Sequence, residues 1–340
     1  MNPDSFPHSP HVVILGCGSW GTALASVLIH SARGVTLVGR DEEVLEDINA
    51  NNRNERYLPG SRLDSGIIAT DDLTTSVEAD LILFAVPSAA TRDVASKLAT
   101  LALKPHAILI ACSKGIERGS GQRMSEIIGE ILPAQQLAVL SGPNHAEEVC
   151  KGLATATVIG SREDAVLSYL QRLFTSPTFR SYTSHDLTGM EWGGAIKNVF
   201  AIASGIASGL GLGDNATSAL VTRGLAEMIR LGTALGGRPD TFTGLSGVGD
   251  LIATCYSHHS RNFRAGISIG RGKTVQETLA AEGMVVEGIP NCQSIYEVAL
   301  RTGVRTPLID TLHSVLYRDK SAAAALQELL TRAPRSETER

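Results

Sequence analysis

Residues 14–30, ILGCGSWGTALASVLIH, pass from an apolar strand pattern straight into an apolar helix pattern, and Gly16, Gly18 and Gly21 crowd the junction. Glycine weakens strands and helices alike, so three of them at a junction need a physical reason. The spacing G-x-G-x-x-G supplies one. Gly16 makes a tight turn, Gly18 lacks a Cβ so that a pyrophosphate can approach the backbone, and Gly21 lets helix pack closely on strand. The free N–H groups at the helix start then face a diphosphate, helped by the helix dipole. A ligand-free βα turn is the competing reading. A turn bracketed by strand and helix, at the head of an alternating domain, favours dinucleotide binding.

The alternation is plain from residue 11 to about 185. HVVIL, VTLVG, GIIAT, LILFAV, AILIAC, LAVLSG and TATVIG read as strands, with RSYTS as a further candidate. Helices fit between them at 22–32, 41–50, 88–103, 121–131, 144–151 and 163–174. Several strand runs are apolar throughout, as parallel strands covered on both faces should be. The pattern predicts a Rossmann-type α/β domain with a doubly wound, mostly parallel sheet. Beyond about 186 strand patterns stop and helical ones continue, so a second, all-α domain is expected. The chain thus divides into a loose polar tail (1–10), a dinucleotide-binding domain (11–187) and a second, helical domain (188–335), with a frayed polar end. A length of 340 residues fits two cores better than one.

Composition narrows the partners. A net charge of −5 gives no reason to expect nucleic acid or an anionic membrane. Five scattered cysteines without a Cys-x-x-Cys argue against a disulfide framework and fit a reducing cytoplasm. MNPDSFPHSP has neither the basic start nor the apolar stretch of a targeting segment. VFAIASGIASGLGLG is too short to span a bilayer and reads as a buried helix.

The cofactor type should be legible at the end of the second strand. Arg40 stands nineteen residues after Gly21, followed by Asp41. An acidic residue there binds the ribose hydroxyls of NAD, whereas an arginine suits the 2′-phosphate of NADP. Both are present, so the choice stays open, with Arg40 coming first on the NADP side. The next strands end in VPS, in SKG with Lys114, and in SGPN with Gly142 and Asn144. Such carboxyl ends line the ligand crevice of an open α/β sheet. A surface lysine and an Asn144 helix cap are the plain alternatives. In the helical half, GGAIKNVFAIASG sets Lys197 and Asn198 among apolar and small residues. A lysine housed there should have a depressed pKa and serve as a proton acceptor, unless it snorkels outward. Asp250 could cap a helix or pair with Lys197. Ser260, Arg261 and Asn262 group anion-binding chemistry where a helix begins, although simple capping would explain them too. His258 and His259 lack a spaced ligand set, so no metal is expected.

Taken in order, GCGSWGTALA, VPS, SKG, SGPNHAEE, GGAIKNVFAIASGI, TRGLAEMIRLG, GLSGVGDLIATC, SRN and VVEG resemble the bacterial NAD(P)-dependent sn-glycerol-3-phosphate dehydrogenase family, from about residue 11 to about 325. The resemblance implies a cytoplasmic, usually dimeric enzyme that reduces dihydroxyacetone phosphate to sn-glycerol 3-phosphate for phospholipids, with the helical domain (188–335) binding substrate. It implies Lys197 as proton acceptor. It implies cofactor contacts from the glycine turn, Ser19, Trp20, Arg40, Lys114, Ala146, Arg261, Val285 and Glu287. Substrate contacts are implied for Lys114, Gly142, Asn144, Lys197, Asp250, Ser260, Arg261 and Asn262. The chain departs from the family at Asn144, where Ser or Thr is common, and at Asp214 and Thr217, where relatives often carry a neutral residue and a base. Two rival readings are another dehydrogenase with a helical second domain and a cofactor-sensing regulator. The second would need an output surface, and the sequence offers none.

Overall fold

The computed structural model describes residues 6–331. Eight strands form one sheet: β1 (His11–Leu15), β2 (Gly34–Val38), β3 (Ile67–Thr70), β4 (Leu81–Phe84), β5 (Ile108–Ala111), β6 (Gln136–Ser141), β7 (Thr155–Ser161) and β8 (Phe179–Ser184). Their order is β3-β2-β1-β4-β5-β6-β7-β8. Every neighbouring pair is parallel except β6 with β7. Every residue of β4 and β5 is buried, which is why these runs are apolar without alternation. The connections between strands carry α1 (Ser19–Leu28), α2 (Glu42–Asn51), α3 (Thr91–Leu98), α4 (Met124–Ile131), α5 (Ala146–Cys150) and α6 (Asp164–Phe174). The RSYTS run is the eighth strand, as its pattern suggested.

The order reverses between β1 and β4. The chain moves outward through β2 and β3, then returns to the other side of β1. The loops after β1 and β4 therefore diverge and open a crevice at their carboxyl ends.

After β8 the described chain is helical: α7 (Leu187–Gly209), α8 (Gly213–Ala234), α9 (Pro239–Phe242), α10 (Asp250–Tyr256), α11 (Arg261–Gly270), α12 (Val275–Glu282), α13 (Gly288–Thr302), α14 (Pro307–Tyr317) and α15 (Ala322–Leu330). α7 is buried along most of its length and forms the axis on which the others pack. Its small residues have a geometric purpose. A Cβ on Gly205 would stand 2.1 Å from the Phe263 carbonyl oxygen, and one on Gly266 would stand 2.2 Å from that of Ile202. α7 and α11 thus touch backbone to backbone.

Several local expectations shift. The helix expected at 88–103 is a short 3₁₀ turn at Ser88–Ala90 followed by α3, which stops at Leu98; Lys104 beyond it reaches back to Asp80 at 2.9 Å. The tail is not loose throughout. Phe6 is buried and stacks on Tyr169 with ring centroids 4.6 Å apart, and the Tyr169 hydroxyl donates to the Pro7 carbonyl at 3.0 Å. Residues 1–5, and most of the polar C-terminal end (332–340), lie outside the described residues.

Candidate active site

The glycine turn closes as its sequence requires. Gly16 has φ +116°, and its N–H donates to the Val38 carbonyl at 2.8 Å. A Cβ at Gly21 would lie 2.0 Å from the Gly16 carbonyl oxygen, so α1 can leave β1 only without one. A Cβ at Gly18 would meet nothing within 4 Å. That open space, above a helix start that no side chain caps, is the cradle a diphosphate needs. Trp20 adds a buried indole N–H with no acceptor among the described residues. These features fit a dinucleotide.

A cleft of about 1470 Å³ runs from this turn to the helical part. Its walls include Gly16, Gly18, Ser19, Trp20, Arg40, Lys114, Asn144, Ala146, Lys197, Ser260, Arg261, Asn262, Val285 and Glu287. Three expected residues stand just behind it. Gly21 packs under the turn, and Gly142 and Asp250 support the amines. Asp214 is exposed, Thr217 is buried and bonded within its own helix at 3.0 Å, and neither lines the cleft.

The floor is a cluster of two lysines and one carboxylate. Lys197, on α7, has a side chain only 7 % exposed; its Nζ lies 3.0 Å from Asp250 Oδ1 and donates to Thr254 Oγ1 at 2.7 Å. Lys114, at the end of β5, puts its Nζ 2.8 Å from Asp250 Oδ2, 2.8 Å from the Gly142 carbonyl and 2.9 Å from Asn144 Oδ1. A single π-turn at Leu245–Gly249 delivers Asp250 to the first position of α10, a local irregularity of the kind that marks functional sites. Asp250 is therefore the partner of Lys197, and its side chain is not a cap.

Electrostatics follow from this packing. Burial pushes the Lys114 ammonium down to about 8, against the pull of Asp250. Burial alone would raise the Asp250 carboxyl, but the two ammonium groups outweigh it and hold it below the usual carboxylate range. Below pH 8 the cluster carries one carboxylate against the Lys114 charge and the Lys197 amine. Such a site suits an anionic ligand or a developing alkoxide.

Amides frame the amines. Asn198 and Asn291 donate to the Lys114 carbonyl at 3.2 and 3.0 Å, Asn262 donates to Asn198 Oδ1 at 2.9 Å, and the Gly288 N–H donates to Asn262 Oδ1 at 2.8 Å. Asn144 does not cap α5, whose N-cap is His145; its amide is turned inward, to Lys114 and to Thr157 Oγ1 at 3.2 Å. Ser260 does cap α11, accepting from the Phe263 N–H at 3.2 Å, and so points Arg261 and Asn262 into the cleft. Arg261 donates to the Val285 carbonyl at 3.1 Å. Glu287 accepts from the N–H and hydroxyl of Ser88 at 2.9 and 2.5 Å, which joins the loop after β4 to the start of α13. Thr254 and Asn291 were not singled out in the sequence. Thr254 follows Asp250 by one helical turn, a signal that means something only once Asp250 is placed.

A model of the family described as NAD-dependent glycerol-3-phosphate dehydrogenase, N-terminus, matches residues 11–167, and its C-terminal counterpart matches 186–327. The chain belongs to this family. A glycerol-3-phosphate dehydrogenase [NAD(P)+] of Carboxydothermus hydrogenoformans is 47% identical over 329 residues, covering 96% of this chain and 98% of the relative. One from Enterococcus faecalis is 46% identical, covering 96% and 97%. The crystal structure of a glycerol-3-phosphate dehydrogenase from Coxiella burnetii superposes with a TM-score of 0.92 at 36% identity, covering 96% of this chain and all of that one. A ketopantoate reductase from Ralstonia eutropha, at 18% identity and a TM-score of 0.60, shares the fold alone. NAD(P)H is the cofactor type of this family, and the cradle described above suits it.

Proposed function

We propose that this chain is an NAD(P)-dependent oxidoreductase that interconverts dihydroxyacetone phosphate and sn-glycerol 3-phosphate, supplying the glycerol backbone of phospholipids. The observation that carries this reading is the buried Lys197 amine on the floor of the cleft, 3.0 Å from Asp250, in the same cleft that the glycine turn lines. Sequence and fold similarity over nearly the whole chain support the substrate assignment.

Gly16, Gly18, Ser19, Trp20, Arg40, Ala146, Val285 and Glu287 would hold the cofactor, with Gly21 beneath the turn and Lys114 and Arg261 at its substrate end. A bound nicotinamide dinucleotide supplies or accepts the hydride at substrate carbon 2. Lys197 gives its proton to the oxygen on that carbon during reduction and takes it back during oxidation. Asp250 and Thr254 fix the amine at 3.0 and 2.7 Å, so its lone pair or proton has one direction left, toward the cleft. Lys114 sets a second positive charge on the reacting oxygen, and Gly142 and Asn144 hold that lysine in place. Arg261 and Asn262, at the capped start of α11, receive the phosphate. Asn198 ties the Lys114 backbone to α7, so the two amines keep a constant separation.

The boundary near residues 185–188 divides a cofactor-binding part from a substrate-binding part, and catalysis needs both. The working form is a cytoplasmic homodimer without nucleic-acid partners; among the described residues no helix is long and apolar enough to cross a membrane. The test is direct. Adding dihydroxyacetone phosphate to the chain with NADPH or NADH should consume the reduced cofactor, and a hydroxy-acid or unphosphorylated dihydroxyacetone panel should not. Cofactor binding without consumption would leave a sensor and end the enzymatic reading.

A further inference from the structure

The corner where β2 and β3 end carries an ion pair that the proposed chemistry does not use. Arg40, Asp41 and Asp71 all line the cleft there. The parallel register, with Val38 opposite Thr70, brings residues 40 and 41 beside Asp71. Asp41 is the kind of residue that accepts ribose hydroxyls in a dinucleotide fold, yet both of its oxygens are engaged. Oδ1 accepts from the Val44 N–H at 3.3 Å and caps α2, while Oδ2 is paired with Arg56.

Arg56 reaches this corner from the loop after α2, and the buried side chain of Asn54 fixes that loop. Asn54 Nδ2 donates to the Cys17 carbonyl at 2.9 Å and to Thr22 Oγ1 at 2.8 Å, and Oδ1 accepts from the Tyr57 N–H at 3.3 Å. Cys17 lies inside the glycine turn, so the Arg56 loop is fastened to the cofactor cradle itself. The guanidinium also lies over the Tyr57 ring, 5.7 Å from its centroid, and that ring lines the cleft. Arg40 is exposed and has no ion pair among the described residues. With Arg56 present, two guanidinium groups meet two carboxylates. Without it, Arg40 alone would face Asp41 and Asp71.

We propose that Arg56 is a specificity-determining residue. By occupying Asp41 it denies that carboxylate to free ribose hydroxyls and keeps the corner receptive to a 2′-phosphate, so NADP(H) is preferred over NAD(H). The proposal deepens the dehydrogenase reading and rests on it.

Calorimetric titration of the full chain with NADPH and with NADH, in the absence of substrate, tests it. The parent should bind NADPH more tightly than NADH, with the ratio shrinking as salt rises. Arg56→Gln should lower that ratio roughly tenfold, the scale of one charge-assisted contact. Adding Asp41→Asn to it should recover part of the ratio, and Arg56→Lys should retain most of it. A parent that favours NADH, or an Arg56→Gln ratio within about twofold of the parent, overturns the assignment. Arg56 is more than half exposed (56%), so these variants do not disturb the core. If neither dinucleotide binds the parent, the dehydrogenase reading fails as well. If one of those overturning results comes while both dinucleotides bind and are consumed with dihydroxyacetone phosphate, only the role of Arg56 is lost.

Discussion

At the scale of single residues the site depends on how burial and charge act on two amines. Lys197→Ala should cut turnover by about 10²–10⁴-fold, the usual range for a general acid–base group, with NADPH affinity nearly intact; steady-state kinetics beside calorimetry would show it. Turnover within a few-fold of the parent would remove Lys197 from that role. Lys114 gives a pH signature. Its ammonium is held down to about 8, so kcat/KM for dihydroxyacetone phosphate should fall as pH rises past that value, and Lys114→Met should abolish this alkaline limb. The same titration acts on folding with the opposite sign. Between about 8 and the ordinary lysine value the unfolded chain holds a proton that the folded chain has released, so this group makes stability rise with pH there. A parallel decline of activity and melting temperature in that window would contradict the assignment.

At the scale of elements, α7 and α11 carry the two halves of the proposed substrate site, with Lys197 and Asn198 on one and Arg261 and Asn262 on the other. Their backbones touch at Gly205 and Gly266, where a Cβ would meet carbonyl oxygens at 2.1 and 2.2 Å. Gly266→Ala cannot fit without parting the helices. Overpacking of this kind costs about 1–3 kcal/mol, and it should also displace the start of α11, where we place the substrate phosphate. A lowered melting temperature together with a raised KM for dihydroxyacetone phosphate is the expected result; a lowered melting temperature with unchanged KM would show that α11 is held by other contacts.

For the molecule as a whole, the sheet layer and the helical part are joined by buried polar contacts as well as apolar ones. Glu191 on α7 accepts from Arg123 at 2.6 Å and from the Ser125 N–H and hydroxyl at 2.8 and 2.5 Å, at the start of α4. Burial raises the Glu191 carboxyl above its ordinary value, opposed by Arg123 and Ser125. Glu191→Ala would leave the 9% exposed Arg123 with only the half-exposed Glu126, at 2.7 Å, and would strip the Ser125 N–H and hydroxyl of their acceptor; breaking a fully buried pair costs about 3–5 kcal/mol, and with Glu126 kept the loss should fall below that, at about 1–3 kcal/mol. Denaturant unfolding should register that loss, whereas a change below about 1 kcal/mol would mean that Glu126 alone keeps Arg123 compensated. The order of strands and helices needed none of this. Each apolar run, the G-x-G-x-x-G turn and the lysine inside an apolar helix are local patterns, set by periodicity and by the few conformations that glycine alone permits, and the sequence by itself determined them. The hydrogen-bond partners of Thr254, Asn144 and Asn291, the pairing of Asp41 with Arg56, and the choice between cap and ion pair for Asp250 were decided by the tertiary structure. Lys114 and Asp250 are 136 residues apart, and Lys197 and Thr254 are 57 apart. A side chain's local pattern states whether it wants a partner, but which partner comes within 3 Å is fixed by how the elements pack.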